Sequence, residues 1–197
     1  GMELHQFSGE ERGGLLSVDR FQHPPTVLQR LVTTWNEYGE DQDTVYLQLL
    51  VQLRQISLLK KEDILDHDLV RTLCRKFYLG ERRFRFLIEW DPLMLTQTDH
   101  FGCLPLHFGA YKSLQSFRSV FETGIMYYPH QKGISLLFKN SNDNWTPLQL
   151  ACERHGRKEF MDVVEDTITR SYSEERPLHI MDALLTAAID DTIHLDC

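Results

Sequence analysis

The sequence predicts an all-α protein assembled from consecutive helix-turn-helix units. Three observations carry that expectation. Apolar residues recur at helical spacing from Val27 to Ile168, short polar or glycine-bearing breaks separate the helical stretches, and two segments share one turn-proline-helix pattern. The clearer segment is Ser141-Asn142-Asp143-Asn144-Trp145-Thr146-Pro147-Leu148-Gln149-Leu150-Ala151, a polar turn running into a helix. Its weaker twin is Asp99-His100-Phe101-Gly102-Cys103-Leu104-Pro105-Leu106-His107-Phe108-Gly109. Each places Pro in the first helical turn, where its missing N–H is one of the donors left unpaired in any case and its fixed φ already suits the helix. Thr146 stands at the N-cap position and can accept from a first-turn N–H. Gly109 and Ala151 follow each Pro by four residues, where a small side chain lets a helix approach its neighbour closely.

Taken in order, Gly1 ahead of Met2 reads as the remnant of a removed tag. Residues 1–23 are polar, carry Gly9, Gly13 and Gly14 without a sustained period, and read as a flexible tail with at most a short local turn. No Gly-Lys-Ser/Thr follows those glycines, so they form no phosphate loop. Residues 24–67 read as a helical hairpin. After Pro24-Pro25, a first stripe comprises Val27, Leu28, Leu31, Val32 and Trp35. Gly39 and Glu40-Asp41-Gln42-Asp43 then start a second helix whose face carries Tyr46, Leu49, Leu50, Leu53 and Ile56. The short loop between them implies an antiparallel pair. A charged connection, Lys60-Lys61-Glu62-Asp63, leads through Ile64-Leu65 to Asp66-His67-Asp68, which reads as a turn and N-cap rather than a ligand set.

From Asp68 onward, Leu69, Val70, Leu73, Cys74 and Phe77 mark a helix ending at Gly80. Its partner carries Phe84, Phe86, Leu87, Ile88 and Trp90 and stops at Asp91-Pro92. Next come an inner helix of about residues 104–111 and an outer one of about 114–121 with Phe117, Val120 and Phe121. Residues 125–133 read as an inserted loop, a place where binding surfaces often vary, and residues 134–138 as a short extended arm. A helix to about Arg154 and an outer helix of about residues 158–168 follow, the latter carrying Phe160, Val163, Val164 and Ile168. Beyond a polar break at 171–176, Pro177-Leu178-His179 opens a partial unit that is either a cap or a cut through a longer array.

Composition excludes several classes. At 42% hydrophobic and 25% charged, the 197 residues suffice for one core or for several units that share one. The formal net charge of -8 argues against covering a polyanion, so no nucleic acid is expected. Arg82-Arg83-Phe84-Arg85 is a local exception. Its arginines do not share one helix face, and the run reads as a solvated edge that packs its aliphatic stems. Cys74, Cys103, Cys152 and Cys197 form no C-x-x-C pair, which disfavours zinc ribbons and redox dithiols. With no apolar leader and no uninterrupted run of about 20 apolar residues, no membrane is expected, and reduced thiols in the cytoplasm or nucleus are. Asp190, Asp191, His194 and Asp196 supply metal-type ligands, but they lack the glycine and spacing of a calcium loop and read as an acidic terminus. No metal or cofactor is expected.

The paired turn-proline-helix segments resemble ankyrin repeats, whose signature is T-P-L-H-x-A. Thr146-Pro147-Leu148-Gln149-Leu150-Ala151 departs only at Gln149, whereas Leu104-Pro105-Leu106-His107-Phe108-Gly109 departs at Leu104 and Gly109. Thr72 stands 33 residues ahead of Pro105 and Gly80 33 ahead of Ser113, the family period, while Pro105 and Pro147 are 42 apart. The resemblance is fullest over residues 98–168, rests on spacing over 68–97, and is architectural only over 24–57. It implies an α-solenoid of stacked helix-turn-helix (ankyrin-like) repeats over residues 68–170, with short finger loops and one insertion, and residues 171–197 as a partial repeat or cap. Neighbouring units must stack to bury their apolar faces. Asn144, in place of the turn glycine, tolerates a left-handed backbone. Leu104, in place of the capping Thr, removes a hydroxyl cap of about 1 kcal/mol.

Carried across position by position, the resemblance makes His100, Phe101 and Cys103 the residues of one finger and Asn142, Asp143 and Trp145 those of the next. The exposed inner-helix positions are Tyr111 with Lys112, and Glu153 with Arg154. His107 resembles the family's structural histidine, which bonds within and between fingers. The implied function is a non-catalytic scaffold that binds an unidentified protein partner, since Trp, Tyr and Arg are frequent interface anchors. For Trp145 the competing reading is packing on the adjacent finger. The alternative function is a structural or regulatory segment of a larger multidomain repeat protein, with this chain monomeric or associating end to end. An enzyme or metal-dependent domain is a third reading, but no G-x-S-x-G, H-E-x-x-H, Rossmann or phosphate-loop motif supports it.

Overall fold

A computed structural model describes residues 12–16, 25–34, 40–129 and 131–172, and all regular structure among them is helical. These residues divide into two compact units. One holds residues up to 73 together with 80–90, and the other holds 74–79 together with residues from 91 onward. Residues 173–197, with the partial repeat and the terminal acidic cluster expected there, lie outside the described residues.

The first unit contains α1 (Val27–Thr33), α2 (Glu40–Gln55), α3 (Glu62–Asp66), α4 (Leu69–Cys74, whose last residue groups with the second unit) and α5 (Glu81–Trp90). α1 starts on a capping box: Gln29 N–H donates to Thr26 Oγ1 at 3.1 Å, and Thr26 N–H donates to Gln29 Oε1 at 2.9 Å. Leu28 and Val32 are fully buried, as their stripe predicts. α2 packs against α5, with the Arg54 guanidinium 4.2 Å from the Trp90 ring centroid.

Four expectations for this region need correction. The charged connection contains the short helix α3. α4 ends at Cys74 rather than Gly80, which leaves Phe77 outside the helix and 62% exposed instead of in the core. The buried face of α2 is narrower than its stripe, because Leu50 is buried while Leu49 and Ile56 are exposed. Finally, part of the expected tail is packed. Arg12–Gly14 forms a 3-10 turn, Leu15 is buried, and its carbonyl accepts from Leu28 N–H at 3.0 Å. Arg12 binds the Asp63 carboxylate with two nitrogens and the Leu58 carbonyl at 3.1 Å. Burial would push the Asp63 carboxyl up, but Arg12 and the Lys60 N–H outweigh burial and hold it below the ordinary carboxylate range. One leucine and one arginine do this work, too few to create a period in the sequence.

The basic run also departs from expectation. Arg82 and Arg85 are exposed, but Arg83 is 1% exposed. Its Nε donates to Asp43 Oδ1 at 2.6 Å, and its Nη1 donates to the carbonyls of Val32, Leu31 and Thr34 at 2.7, 3.0 and 3.0 Å. Those carbonyls lie at the C-terminal end of α1, where helical partners run out. Asp43, in the first turn of α2, also accepts from Arg82 N–H at 2.8 Å.

The second unit contains a 3-10 turn (Pro92–Leu95), α6 (Pro105–Lys112), α7 (Leu114–Tyr127), α8 (Gln131–Ser135), a 3-10 turn (Leu136–Phe138), α9 (Pro147–His155) and α10 (Arg157–Ser171). α6 packs on both α7 and α9, and α10 packs on both α7 and α9, so two helix pairs lie side by side. Their core centres on Phe117, whose ring lies 5.4 Å from that of Phe121 and 4.7 Å from that of Phe160. Gly109 serves the close approach expected of it: a Cβ there would lie 3.2 Å from the Ser116 carbonyl oxygen and 3.3 Å from Phe117 Cα.

Two sequence expectations fail between α7 and α9. α7 runs on to Tyr127 instead of ending near Phe121, so it absorbs the start of the expected inserted loop. Residues 134–138 are helical rather than an extended arm, with Ile134, Leu136, Leu137 and Phe138 all buried. A short apolar run buried on every side carries no period that separates strand from helix. Most of this segment is packed against α7 and α9 and does not project as a loop.

Candidate functional site

Each helix pair is introduced by a turn built from local bonds. In the first, Asp99 Oδ1 accepts from the N–H groups of Phe101 and Cys103, both at 2.9 Å, Asp99 N–H donates to the Cys103 carbonyl at 3.0 Å, and Gly102 has φ +72°. In the second, Ser141 N–H donates to the Trp145 carbonyl at 2.9 Å, Trp145 N–H donates to Ser141 Oγ at 3.2 Å, and Asn144 has φ +60°. The left-handed residue falls at the same place in both, as the sequence comparison of Asn144 with a turn glycine implied. Asn144→Gly is therefore expected to raise stability by up to about 1 kcal/mol in urea unfolding, by relieving the residual left-handed strain. A lowered unfolding midpoint would contradict this account of the turn.

The helix starts differ in the way Leu104 and Thr146 predict. Gln149 N–H donates to Thr146 Oγ1 at 3.1 Å and Thr146 N–H donates to Gln149 Oε1 at 3.0 Å, a full capping box. Leu104 has no side-chain oxygen, and its N–H instead donates to His107 Nδ1 at 2.9 Å. A nitrogen that accepts carries no proton, so the proton sits on Nε2, which donates to the Trp145 carbonyl at 3.0 Å. Burial pushes the His107 imidazole below its ordinary pKa, and hydrogen bonding to backbone carbonyls offsets this only in part. His155 adds a second tie, its Nε2 lying 2.8 Å from the Ala110 carbonyl near the C-terminus of α6.

The turns also bond to each other. Asn142 N–H donates to the Phe101 carbonyl at 2.8 Å, and Asn142 Nδ2 donates to the His100 carbonyl at 3.0 Å. Gly102 makes room for this contact, since a Cβ there would lie 2.6 Å from Asn142 Oδ1. Asn142, expected as a partner-facing residue, thus spends its side chain joining the two turns. His100 and Phe101 are exposed with ring centroids 3.9 Å apart, Asp143 is exposed, and Trp145 is 40% exposed.

Beside the turns, α6 and α9 present a groove of about 370 Å³ with mainly apolar walls. Cys103, His107, Phe108, Tyr111 and Leu150 line it, with Arg75 and Lys112 as its charged members. Tyr111, 44% exposed, has the Arg154 guanidinium 4.4 Å and the Lys112 ammonium 5.3 Å from its ring centroid. Arg75 lies 4.5 Å from the Phe108 centroid and pairs with Asp99 at 3.2 Å. Burial, followed by Asp99 and Asp143, pushes the Cys103 thiol above its ordinary pKa, which makes it a poor nucleophile at neutral pH.

Of the residues expected from sequence, Cys103, Tyr111 and Lys112 are brought together in the groove, and Arg154 joins through the Tyr111 ring. Glu153 is exposed on α9, and His100, Phe101, Asn142, Asp143 and Trp145 belong to the turns. Arg75, Phe108 and Leu150 were not anticipated. A signal for two of them is present: Phe108 and Leu150 occupy the same place in the two motif copies, three residues after Pro105 and Pro147. Tyr111 and Lys112 stand three and four residues beyond Phe108, as Glu153 and Arg154 do beyond Leu150, so each trio shares a helix face.

Among the described residues no group of three His, Cys, Asp or Glu side chains is placed to hold a metal ion, and no helix is long and apolar enough to cross a membrane. Comparison with family models, with curated proteins and with solved structures finds no match to this chain.

Proposed function

We propose that this chain is an ankyrin-like repeat protein and a non-catalytic scaffold, which captures a protein partner on its turns and on the exposed face of α6 and α9. The observation that carries the reading is a mainly apolar groove lined by Phe108, Tyr111 and Lys112 of α6 and Leu150 of α9, with Arg154 of α9 against the Tyr111 ring. Exposed aromatic and guanidinium groups around such a groove are the groups that dominate interface energetics. Support for the repeat reading comes from the matched turns at 99–103 and 141–145, the proline starts of α6 and α9, and the packing of α6 on α9 and of α7 on α10. The bonds of His107 to the Leu104 N–H and the Trp145 carbonyl support the same reading.

The test is simultaneous replacement of Phe101, Tyr111 and Trp145 by Ala. All three are at least 40% exposed, so each change is expected to cost no more than about 0.5 kcal/mol of stability. Affinity capture from the source organism, read by mass spectrometry, is expected to recover a specific partner with the parent chain. The variant should lose it while keeping its helical circular dichroism. Undiminished capture by the variant would remove this face from the binding surface.

A further inference from the structure

Two cations at the groove enter no ion pair among the described residues and are held only against an aromatic ring. Arg75 is paired with Asp99, but Lys112 and Arg154 have no ion-pair partner among the described residues, and both lie within 5.3 Å of the Tyr111 ring centroid. This occurs in a chain of formal net charge -8, where a randomly placed surface would be acidic. The anionic groups nearby are Asp99, which faces Arg75, Asp143, whose field reaches Cys103, and Glu153, exposed on α9 next to Arg154. Beside the two cations, Phe108, Cys103 and Leu150 offer apolar wall in a space of about 370 Å³, at the small end of the roughly 300–1,000 Å³ range of ligand clefts.

We infer that the groove takes an acidic peptide segment of the partner, in which a bulky apolar side chain enters between Phe108 and Leu150 and an adjacent Asp or Glu carboxylate is held by Arg154 and Lys112 across Tyr111. The inference rests on the protein-binding reading above and adds the chemistry of the partner. The apolar walls explain why a bare anion is insufficient: two isolated cations beside a wall that offers few hydrogen-bond donors favour an amphipathic ligand. They equally disfavour nucleic acid, which needs a track of cations matched to successive phosphates. Tyr111 has a definite role here, since a ring that already holds both cations limits the side-chain freedom lost when a carboxylate binds.

A phage-displayed library of random peptides selected on the full chain tests this directly. The expected result is enrichment of sequences with Asp or Glu beside Leu, Ile, Phe or Trp. A dye-labelled peptide of that sequence should bind more weakly as salt is raised, and about tenfold or more weakly when its acids are replaced by Gln. Lys112→Gln with Arg154→Gln should abolish the acidic enrichment. Arg154 is exposed, Lys112 is half-buried and lines the open groove, and glutamine is a good helix former, so the variant is expected to fold, which circular dichroism checks. Neutral or basic enrichment, no enrichment, or acidic enrichment that survives the double variant would each overturn the inference. Displacement of the labelled peptide by free glutamate at matched concentration would also overturn it, by assigning the site to a small carboxylate. Neutral enrichment that Tyr111→Ala removes would overturn the acidic chemistry alone and leave the scaffold reading standing. Undiminished partner capture by the triple alanine variant, by contrast, removes the scaffold surface itself.

Discussion

Arg83→Met is expected to destabilise the chain by about 3–5 kcal/mol, the cost of breaking a buried ion pair by removing one partner. Methionine fills much of the volume but donates nothing. The Asp43 carboxylate, itself buried, would retain the Arg82 N–H and lose its charged partner, and the carbonyls of Leu31, Val32 and Thr34 would lose their donor. Urea unfolding followed by circular dichroism measures the loss. Because a chain of this size is stable by only about 5–15 kcal/mol, hydrogen exchange in α1 provides a second readout if unfolding begins before denaturant is added. Arg83→Lys should fall between parent and Met, since an ammonium keeps the charge without the fork that reaches Asp43 and three carbonyls together. The double change Asp43→Asn with Arg83→Met should lose less than the sum of the two single changes, because the stranded charge is gone. A loss below about 1 kcal/mol for Arg83→Met would show that the buried guanidinium does not hold α1 in place.

His107→Leu is expected to cost about 1–3 kcal/mol and to flatten the dependence of stability on pH. The N–H of Leu104 has no other partner at the start of α6, so a replacement that fails to reach it leaves a buried donor unpaired. The Trp145 carbonyl is better protected, because it also accepts from Ser141 N–H. The sign of the pH effect follows from the depressed imidazole pKa. The unfolded chain protonates His107 near its ordinary value of 6.5 while the folded chain resists, so the histidine's contribution is complete above about 6.5 and declines as pH falls below it. Protonation also destroys the lone pair on Nδ1 that accepts from Leu104. Asp63, whose carboxyl is held below 3.8, loses its contribution in a separate and more acidic window, as pH falls through its folded value. Unfolding free energies at pH values from about 7 to 5 should therefore slope downward more steeply in the parent than in the leucine variant. Identical slopes would mean that His107 is not held neutral by the fold.

The residues behind these two predictions differ in how visible they were. His107 stood in a motif that marked it as a bonding histidine, and it bonds to Leu104 at the start of its own helix and to Trp145 in the other turn. Arg83 stood in a basic run that reads as solvated, although the helical spacing of Phe84, Leu87 and Ile88 puts it, and neither Arg82 nor Arg85, on their face. Its partner Asp43 lies 40 residues earlier, and the carbonyls it caps lie about 50 residues earlier. The groove was half legible: Tyr111, Lys112 and Arg154 were named from the resemblance of their segments to repeats, whereas Arg75 comes from a segment read as the tail of a helix.

What the sequence determined by itself is the set of features closed within about four residues. The proline starts of α6 and α9, the Thr146–Gln149 capping box and the left-handed Asn144 depend on backbone geometry and short side-chain reach, so each residue type announces its conformation. What only the tertiary structure decided is where burial falls. Phe77 lies in the open while Arg83 is sealed, residues 134–138 coil instead of extending, and Phe108 and Leu150 meet as walls of one groove. Desolvation and packing depend on which surfaces meet, and those surfaces come from residues tens of positions apart whose encounter no local pattern encodes.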